Sequence, residues 1–325
     1  MHPAKSVIYF TTATGAGYGL FFWLALLSFH GHLPADNAVG FHLMPFIMLA
    51  IAFGLIITGL LSSTGHLGHP ERAWRAMSQW RSSWLSREGV MAILTFIPMS
   101  IFAIYWVFLG QNAGLPGIAG LVGGVMALIT VFTTSMIYAS LKTIPAWHNI
   151  WTKIGYLVMS LMSGAVLAWA LTTIFGLWQA GLHIVTPTVI LLALGLAVKF
   201  TYWWYIRSSK AVSTTESATG LGGFGKVSLA ASPHSADNYL LKEMGFKIAR
   251  KHAAKIRIIA AIFGFVVPFI LIIFMARYMD MQNMSAKIVS VLAVASCLFG
   301  LVFERWLFFA EAKHAVTLYY GQDKV

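Results

Sequence analysis

The sequence predicts an all-α integral membrane protein with eight transmembrane helices. Hydrophobic residues make up 58% of the 325 residues and charged residues only 10%, whereas a soluble domain carries about 25% charged residues. The apolar residues form blocks of about 20 or more, the length that an α-helix needs to cross a bilayer. The basic residues collect at alternate connections between these blocks, as in multi-pass proteins. We therefore expect residues 1–325 to form a single polytopic membrane domain.

The eight predicted helices follow the apolar blocks in chain order. The first block is interpreted as a retained helix, because no short apolar core with a small-residue cleavage site is found. Glycines in the first and fourth blocks are expected to let helices approach closely. These glycines are Gly15, Gly17, Gly19, Gly120, Gly123 and Gly124. The blocks cover residues 6–29, 40–63, 89–109, 117–141, 154–179, 184–206, 256–279 and 287–310.

Lysine and arginine predict the orientation. All but three of the 22 Lys and Arg residues lie in or beside the two termini and the segments near 64–88, 142–153 and 207–257. The opposite connections hold only Arg277 and Lys287. Because basic connections stay in the cytoplasm, both the N-terminus and the C-terminus are expected there.

Lys199 is the third exception, and it lies inside the sixth block, about two turns before Arg207. It is either a charge held within the membrane or a side chain that extends to the inner interface. The second interpretation is favoured, because long basic side chains near helix ends reach the interface readily.

Residues 207–255 form the one sizeable segment outside the membrane, predicted to be a cytoplasmic loop. Its first half is small, polar and rich in glycine, which predicts irregular structure. Its second half, ADNYLLKEMGFKIARKHAAKIR, predicts a basic amphipathic helix. Such a helix can lie on anionic membrane lipid or contact a partner protein, and both interpretations remain open.

Several kinds of metal site are not expected on this chain. The single cysteine, Cys297, excludes an internal disulfide and a cysteine-ligated iron–sulfur cluster. No block carries a histidine near its middle, so no haem with two axial histidines is expected; a haem with one histidine and another ligand stays open. The net charge of +12 is explained by topology and lipid rather than by nucleic acid.

The candidate site lies in the polar stretch STGHLGHPERAWRAMSQWRSSWLSREGV, residues 63–90. His66 follows the second block, and Glu88 stands at the start of the third. If those helices are neighbours, both side chains can reach one pocket at the inner interface. An imidazole can hydrogen-bond a quinone carbonyl, and a carboxylate can transfer the accompanying proton. The plainer alternatives are helix capping by His66 and a helix-dipole contact by Glu88.

The run HLGHPERAW, followed by LSRE, resembles the signature of the dimethyl sulfoxide reductase membrane anchor (DmsC) family. Residues 143–164 and the stretch FERWLFF resemble two further blocks of that family. The resemblance implies a heterotrimer with a molybdopterin catalytic subunit and an iron–sulfur subunit. Its anchor carries no metal and exchanges electrons with ubiquinone or menaquinone. The resemblance also implies quinone-site roles for His66 and Glu88, with Arg72 and Arg305 in the same pocket.

Residues 215–257 and the tail ERWLFFAEAKHAVTLYYG resemble the anchor of the cytoplasmic, quinone-reducing sulfite dehydrogenase (SoeC type). That resemblance implies a subunit of the bacterial inner membrane that passes electrons from sulfite oxidation to quinone. Its partner subunits are expected on the cytoplasmic face, where the charge bias places the polar stretch. Two alternatives remain. One is the anchor of a dimethyl sulfoxide or related reductase that oxidises quinol. The other is an eight-span transporter, although no internal repeat and few intramembrane charges are found.

Overall fold

The computed structural model describes residues 5–65, 69–209, 213–231, 250–279 and 283–320. Within these ranges, eight helices are long and apolar enough to cross a membrane, so the all-α class and the eight predicted spans are confirmed. The side of the membrane that each terminus faces stays a prediction. The helices are α1 (Lys5–Phe29), α2 (Leu43–Thr64), α3 (Trp84–Leu109), α4 (Leu115–Ala139), α5 (Ile150–Ile174), α6 (Trp178–Ser208), α7 (Ala253–Tyr278) and α8 (Met284–Ala310).

Three helices begin four or more residues earlier than the apolar blocks predict. α3 begins at Trp84 rather than at residue 89, and α6 begins at Trp178 rather than at residue 184. α5 begins at Ile150, because the side chain of Asn149 accepts a hydrogen bond from the backbone N–H of Thr152 (3.0 Å). Helical structure therefore extends into the polar interfacial residues, and Glu88 lies inside α3 rather than before it.

α1 and α5 form the centre of the bundle. In their most apolar stretches, 72% and 78% of the residues are buried, compared with 33% in α2, α3, α6, α7 and α8. α1 packs against α2, α4, α5 and α8, and α5 packs against α1, α4, α6 and α8. α3 packs mainly against α4, and α2 mainly against α1. The predicted contact between α2 and α3 is therefore minor.

Glycines bring α1 and α5 into backbone contact. A Cβ on Gly19 would lie 1.9 Å from the carbonyl oxygen of Ser160, and a Cβ on Gly164 would lie 2.1 Å from the carbonyl carbon of Gly19. Ser160 Oγ donates to the carbonyl of Gly15 (2.7 Å), and Trp23 Nε1 donates to the carbonyl of Leu161 (2.8 Å). The two helices thus meet without side chains between them, as expected for small-residue interfaces in membranes.

The other predicted glycines behave in the same way, with one exception. An added Cβ would meet a neighbouring helix within 3.3 Å at each of Gly17, Gly120, Gly123 and Gly124. A Cβ added to Gly15 would meet nothing within 4 Å, so the contact between its carbonyl and Ser160 does not depend on the missing side chain. The space beside Gly15 belongs to the cavity described below.

α7 contains one π-helical turn, Ile262–Val266, where it meets α8. Gly264 faces Gly300 of α8. A Cβ added to Gly300 would lie 2.0 Å from the backbone nitrogen of Gly264. Ser296 Oγ donates to the carbonyl of Phe263 (2.8 Å), satisfying an acceptor in the π turn. This contact holds α8 in place, and α8 carries charged residues of the candidate site.

Short helical turns connect or follow the long helices. They are Pro70–Gln79, Thr215–Thr219, Gly222–Phe224 and Ala315–Tyr320. Most of the predicted amphipathic helix, residues 232–249, lies outside the described residues. Arg250 Nε donates to the carbonyl of Ala310 (2.8 Å), and its Nη2 donates to that of Ala312 (2.9 Å). The basic end of this segment therefore caps the C-terminus of α8.

Candidate functional site

Glu88 is buried between α3 and α4, with 5% of its surface exposed. Its carboxylate accepts a hydrogen bond from the hydroxyl of Thr134 on α4. The carbonyl oxygen of Thr130, in the same helix as Thr134, lies 3.0 Å from that hydroxyl, so the two acceptors share its one hydrogen. A carboxyl group inside an apolar bundle is costly unless it is hydrogen-bonded. Glu88 therefore belongs to the interior of the bundle, where it has a specific hydrogen-bond partner.

A narrow cavity of about 20 Å³, room for about one water molecule, lies between α1, α4, α5 and α8 and is partly open at its mouth. Much of its wall carries hydroxyl groups, which is unusual for a membrane interior. Most of these hydroxyls donate to carbonyls of their own helix, as Thr14 does to Phe10 (2.7 Å) and Ser163 to Met159 (2.7 Å). The hydroxyl-bearing lining residues are Thr11, Thr12, Thr14, Thr134, Tyr156, Ser160 and Ser163.

Three polar atoms on the cavity-lining residues have no hydrogen-bond partner among the described residues. They are Thr12 Oγ1, Tyr156 Oη and Arg305 Nη1, all three buried, although the side chains of Tyr156 and Arg305 also interact with each other. A buried donor without a partner costs about 1–3 kcal/mol, so such groups usually mark a site for water or a ligand. Each of the three can donate a hydrogen bond. The cavity therefore suits an acceptor oxygen, such as that of a water molecule or of a ligand whose carbonyl enters from the mouth.

Arg305 joins this cavity to a cluster of charges. It is 4% exposed, and its guanidinium lies over the ring of Tyr156, 4.3 Å from the ring centroid. Its Nε donates to Oε2 of Glu304 at 2.5 Å. The other oxygen of Glu304, Oε1, pairs with Nζ of Lys199 on α6. We call Lys199, Glu304 and Arg305 the charged triad.

The position of Lys199 corrects the interpretation favoured from the sequence. Lys199 is 3% exposed and does not extend to the interface. Its ammonium pairs with Glu304 inside the bundle and lies 4.1 Å from the centroid of the Tyr202 ring. The prediction was wrong because the partner carboxylate is on a helix more than 100 residues away in sequence, where spacing gives no sign of it.

The cavity and the charged triad lie at one end of the bundle. Thr12 is near the start of α1, and Thr134 is near the end of α4. Tyr156 is near the start of α5, and Arg305 is near the end of α8. Because successive membrane helices alternate in direction, these positions share one side. The connection between α2 and α3 is on that side too, and Glu88 lies in the first turns of α3.

The predicted site residues divide into three groups. Glu88 and Arg305 belong to the same cavity. Arg305 lines it, and Glu88 is hydrogen-bonded to Thr134, which also lines it. Arg72 does not: it lies on Pro70–Gln79 with 57% of its side chain exposed, and its Nε is 3.8 Å from the Glu71 carboxylate. His66 lies outside the described residues. Its role remains a prediction.

Arg87 has a structural role beside the site. Its Nε donates to the carbonyl of Trp80 (3.0 Å), and its Nη2 donates to that of Arg81 (2.7 Å). Its guanidinium also lies 4.3 Å from the Trp84 ring centroid. Arg87 therefore ties the turn before α3 to the first turn of the helix that carries Glu88.

Sequence reasoning missed Thr134, Tyr156 and Glu304. Thr134 is one of several threonines in α4, and nothing in the sequence separates it from the others. Tyr156 lies within residues 143–164, a block that resembles the anchor family, but no role was assigned to it. Glu304 did carry a signal, because a carboxylate inside a predicted span usually pairs with another charge. Lys199 was the one basic residue within another span.

Two ionisable groups just beyond the end of α8 have shifted pKa values. Burial raises the pKa of Glu311, and the pairing of Glu311 with Arg257 opposes that shift. Burial, together with the charge of Arg250, lowers the pKa of His314. Among the described residues, no group of three or more His, Cys, Asp and Glu side chains is arranged to hold a metal ion.

Comparison with known proteins identifies the family to which this chain belongs. Residues 1–321 match the family described as DMSO reductase anchor subunit (DmsC). The protein is similar to the C subunit of sulfite dehydrogenase from Allochromatium vinosum, with 31% identity over 343 residues, 98% of this chain and 99% of that protein. It is also similar to the C subunit of anaerobic dimethyl sulfoxide reductase from Escherichia coli strain K12, with 28% identity over 182 residues, 54% of this chain and 60% of the relative. No solved structure matches.

Proposed function

Because the chain belongs to the DMSO reductase anchor subunit (DmsC) family, we propose that it is the quinone-reactive anchor of a heterotrimeric molybdenum oxidoreductase that oxidises sulfite. The similarity to the C subunit of a sulfite dehydrogenase extends over nearly the full length of both proteins. The similarity to the C subunit of a dimethyl sulfoxide reductase covers only 54% of this chain. This difference supports the sulfite-oxidising assignment.

The proposed partners are an iron–sulfur subunit and a molybdopterin catalytic subunit on the cytoplasmic face of the bacterial inner membrane. Sulfite and water would yield sulfate, two protons and two electrons on the catalytic subunit. The electrons would reach the anchor through the clusters of the iron–sulfur subunit. Reduction of quinone to quinol consumes two electrons and two protons. The anchor's own residues then have to bind the quinone and deliver the protons.

The observation that carries the quinone assignment is the cavity beside Glu88. Arg305 Nη1 and Tyr156 Oη are buried on its wall and interact there only weakly with each other among the described residues, so they would bind an acceptor oxygen. Glu88 reaches the cavity through Thr134 and would transfer protons to that oxygen as a general acid. His66, which follows the end of α2, is proposed as a second hydrogen-bond partner of the quinone.

The position of Glu88 also predicts where the protons come from. The charge bias assigns this end of the bundle to the cytoplasm. Glu88 would therefore take up protons from the same compartment in which sulfite oxidation releases them. Turnover by the complex is expected to move no net charge across the membrane.

Replacing Glu88 in the assembled complex tests the proposal. Glu88→Gln keeps the size of the side chain but cannot carry a proton, so sulfite-dependent quinone reduction should fall at least about 100-fold, the low end for a general acid. Sulfite oxidation with a soluble artificial acceptor should persist, because it bypasses the anchor. The matched control is Glu71→Gln, which changes an exposed glutamate of the same connection. Unchanged quinone reduction in Glu88→Gln would refute the assignment of Glu88 as the residue that delivers protons to the quinone.

The alternative direction of electron flow is that of a dimethyl sulfoxide reductase anchor, which oxidises quinol. The partial similarity to the corresponding subunit of the Escherichia coli enzyme favours it. The same purified complex distinguishes the two. Sulfite-dependent quinone reduction supports the first assignment, and quinol oxidation by dimethyl sulfoxide without any sulfite activity supports the second. An eight-span transporter has no support from these relatives.

A further inference from the structure

The charged triad is the most unusual feature of the bundle outside the cavity. Lys199, Glu304 and Arg305 are each at most 4% exposed, and they come from two helices that are distant in sequence. One carboxylate is shared between two cations, so the cluster carries an excess positive charge when all three groups are ionised. Buried ion pairs are weak evidence for stability, because desolvation offsets their attraction. A different role therefore has to be considered.

The contact between Glu304 and Arg305 is not enforced by their helix. Adjacent residues on an α-helix point about 100° apart and do not face each other. Their side chains nevertheless meet, because Glu304 is also bound by Lys199 from α6. Lys199 is itself held between α6 side chains, with its Nζ 4.1 Å from the Tyr202 ring centroid. Lys199 therefore fixes the direction of the Glu304 carboxylate.

The orientation of Arg305 follows from this carboxylate. A guanidinium is planar and rigid, so a bond at one edge and a ring against its face determine where the other nitrogens point. Glu304 binds Nε, and the ring centroids of Tyr156 and Phe308 lie 4.3 Å and 5.1 Å from the guanidinium carbon. Nη1 makes no hydrogen bond of standard geometry among the described residues, apart from the interaction of the guanidinium with the Tyr156 side chain, and it belongs to a side chain that lines the cavity.

We propose that the Lys199–Glu304 ion pair is a positioning device that aims Arg305 Nη1 at an oxygen of the ligand in the cavity. This inference rests on the proposed quinone function of the cavity. Neither Lys199 nor Glu304 lines the cavity, so both act through Arg305. Arg305 itself would make the contact with the ligand.

The test is a double-mutant cycle on ligand binding to the purified complex. The probe is heptyl hydroxyquinoline N-oxide, a fluorescent quinone analogue whose emission is quenched on binding. Three variants are compared: Lys199→Met with Glu304→Leu, Arg305→Met, and all three changes together. The first variant removes the ion pair together with the carboxylate that binds Arg305, so Lys199→Met alone, which leaves Glu304 paired with Arg305, is measured beside it. Arg257→Met is the control, because it breaks the other ion pair at this end of α8, that with Glu311.

The expected result is a Kd for the probe about tenfold higher in the first two variants, a loss comparable to one buried hydrogen bond. The triple variant should bind no more weakly than Arg305→Met alone, because the pair has nothing left to position. The control should keep the wild-type Kd. An unchanged Kd in the pair variant, or effects that add in full in the triple variant, would overturn the proposal.

Two further outcomes are also decisive. If the pair variant does not assemble, Lys199→Met replaces it: Glu304 stays paired with Arg305 Nε, but the ion pair with Lys199 is lost. A raised Kd then supports positioning, and a wild-type Kd overturns it. If the wild-type complex does not bind the probe at all, the quinone function of the cavity fails, and the positioning role fails with it.

Discussion

Thr134→Val is the most selective change that can be made to the Glu88 environment. Valine has nearly the shape of threonine but lacks the hydroxyl, and the carboxylate of Glu88 loses the donor that α4 provides. Nothing else around Glu88 changes in sequence. The effect on quinone chemistry should therefore report the hydrogen bond rather than a rearranged bundle.

The expected magnitude follows from the kind of bond that is removed. A hydrogen bond to a charged group contributes about 1.5–3 kcal/mol, and about 1.4 kcal/mol corresponds to a factor of ten in rate. If Glu88 has to exchange a proton in each turnover, quinone reduction should fall about 10- to 150-fold. Sulfite oxidation with an artificial acceptor should stay within about twofold of wild type, since the partner subunits are unchanged.

The adjacent threonine provides a matched control. Thr133 is also buried, but its hydroxyl donates only to the carbonyl of Thr130 in its own helix (2.7 Å). Thr133→Val should leave quinone reduction close to wild type, and Thr134→Ser should restore most of what Thr134→Val loses. Equal losses in Thr133→Val and Thr134→Val would refute the reasoning, because the defect would then come from general destabilisation of α4.

Two further predictions concern stability. Gly19→Ala places a Cβ 1.9 Å from the carbonyl oxygen of Ser160, so α1 and α5 must separate. We expect a loss of about 1–3 kcal/mol or more, seen as a lower Tm, whereas Gly15→Ala, which meets nothing within 4 Å, should leave the Tm unchanged. A wild-type Tm in Gly19→Ala would contradict the close contact. The second concerns His314, whose pKa is lowered below the usual 6.5 by burial and by Arg250. Its folded form binds protons less readily than the unfolded form, so folding stability is lost as pH falls below about 6.5. His314→Gln should make the Tm less sensitive to pH between about 7.5 and about 5.5, and equal pH dependence in the two proteins would count against this assignment.

The helices of this protein are predictable because their hydrophobicity is set by the bilayer. Each span has to shield its backbone from lipid over a fixed thickness, and a count of apolar residues therefore finds it. The ends are less predictable, as α3 and α6 show. Their first residues are polar or aromatic and lie at an interface where hydropathy no longer decides, so local capping and turn contacts such as those of Arg87 determine where each helix begins.

The sequence predicts some residues of the candidate site from their type, but it does not predict which side chains they contact. Glu88 stands out as a carboxylate next to an apolar block, and Arg305 through a family resemblance. Thr134 and Tyr156 do not stand out, because hydroxyl residues in membrane helices usually bond their own backbone. The charged triad was missed for a related reason. The contact between Lys199 and Glu304 joins α6 to α8, and single-sequence patterns report only local spacing.

The central claim is that Glu88 and Arg305 belong to one quinone-binding cavity, and an experimental structure of the assembled complex with bound quinone tests it most directly. We expect a quinone oxygen within about 3 Å of Arg305 Nη1, with the ring at the mouth of the cavity between α1, α4, α5 and α8, because the cavity of about 20 Å³ admits the oxygen but not the whole ring. The Thr134–Glu88 pair should lie beside the ring. A quinone bound elsewhere in the complex, with this cavity filled only by water, would contradict the account.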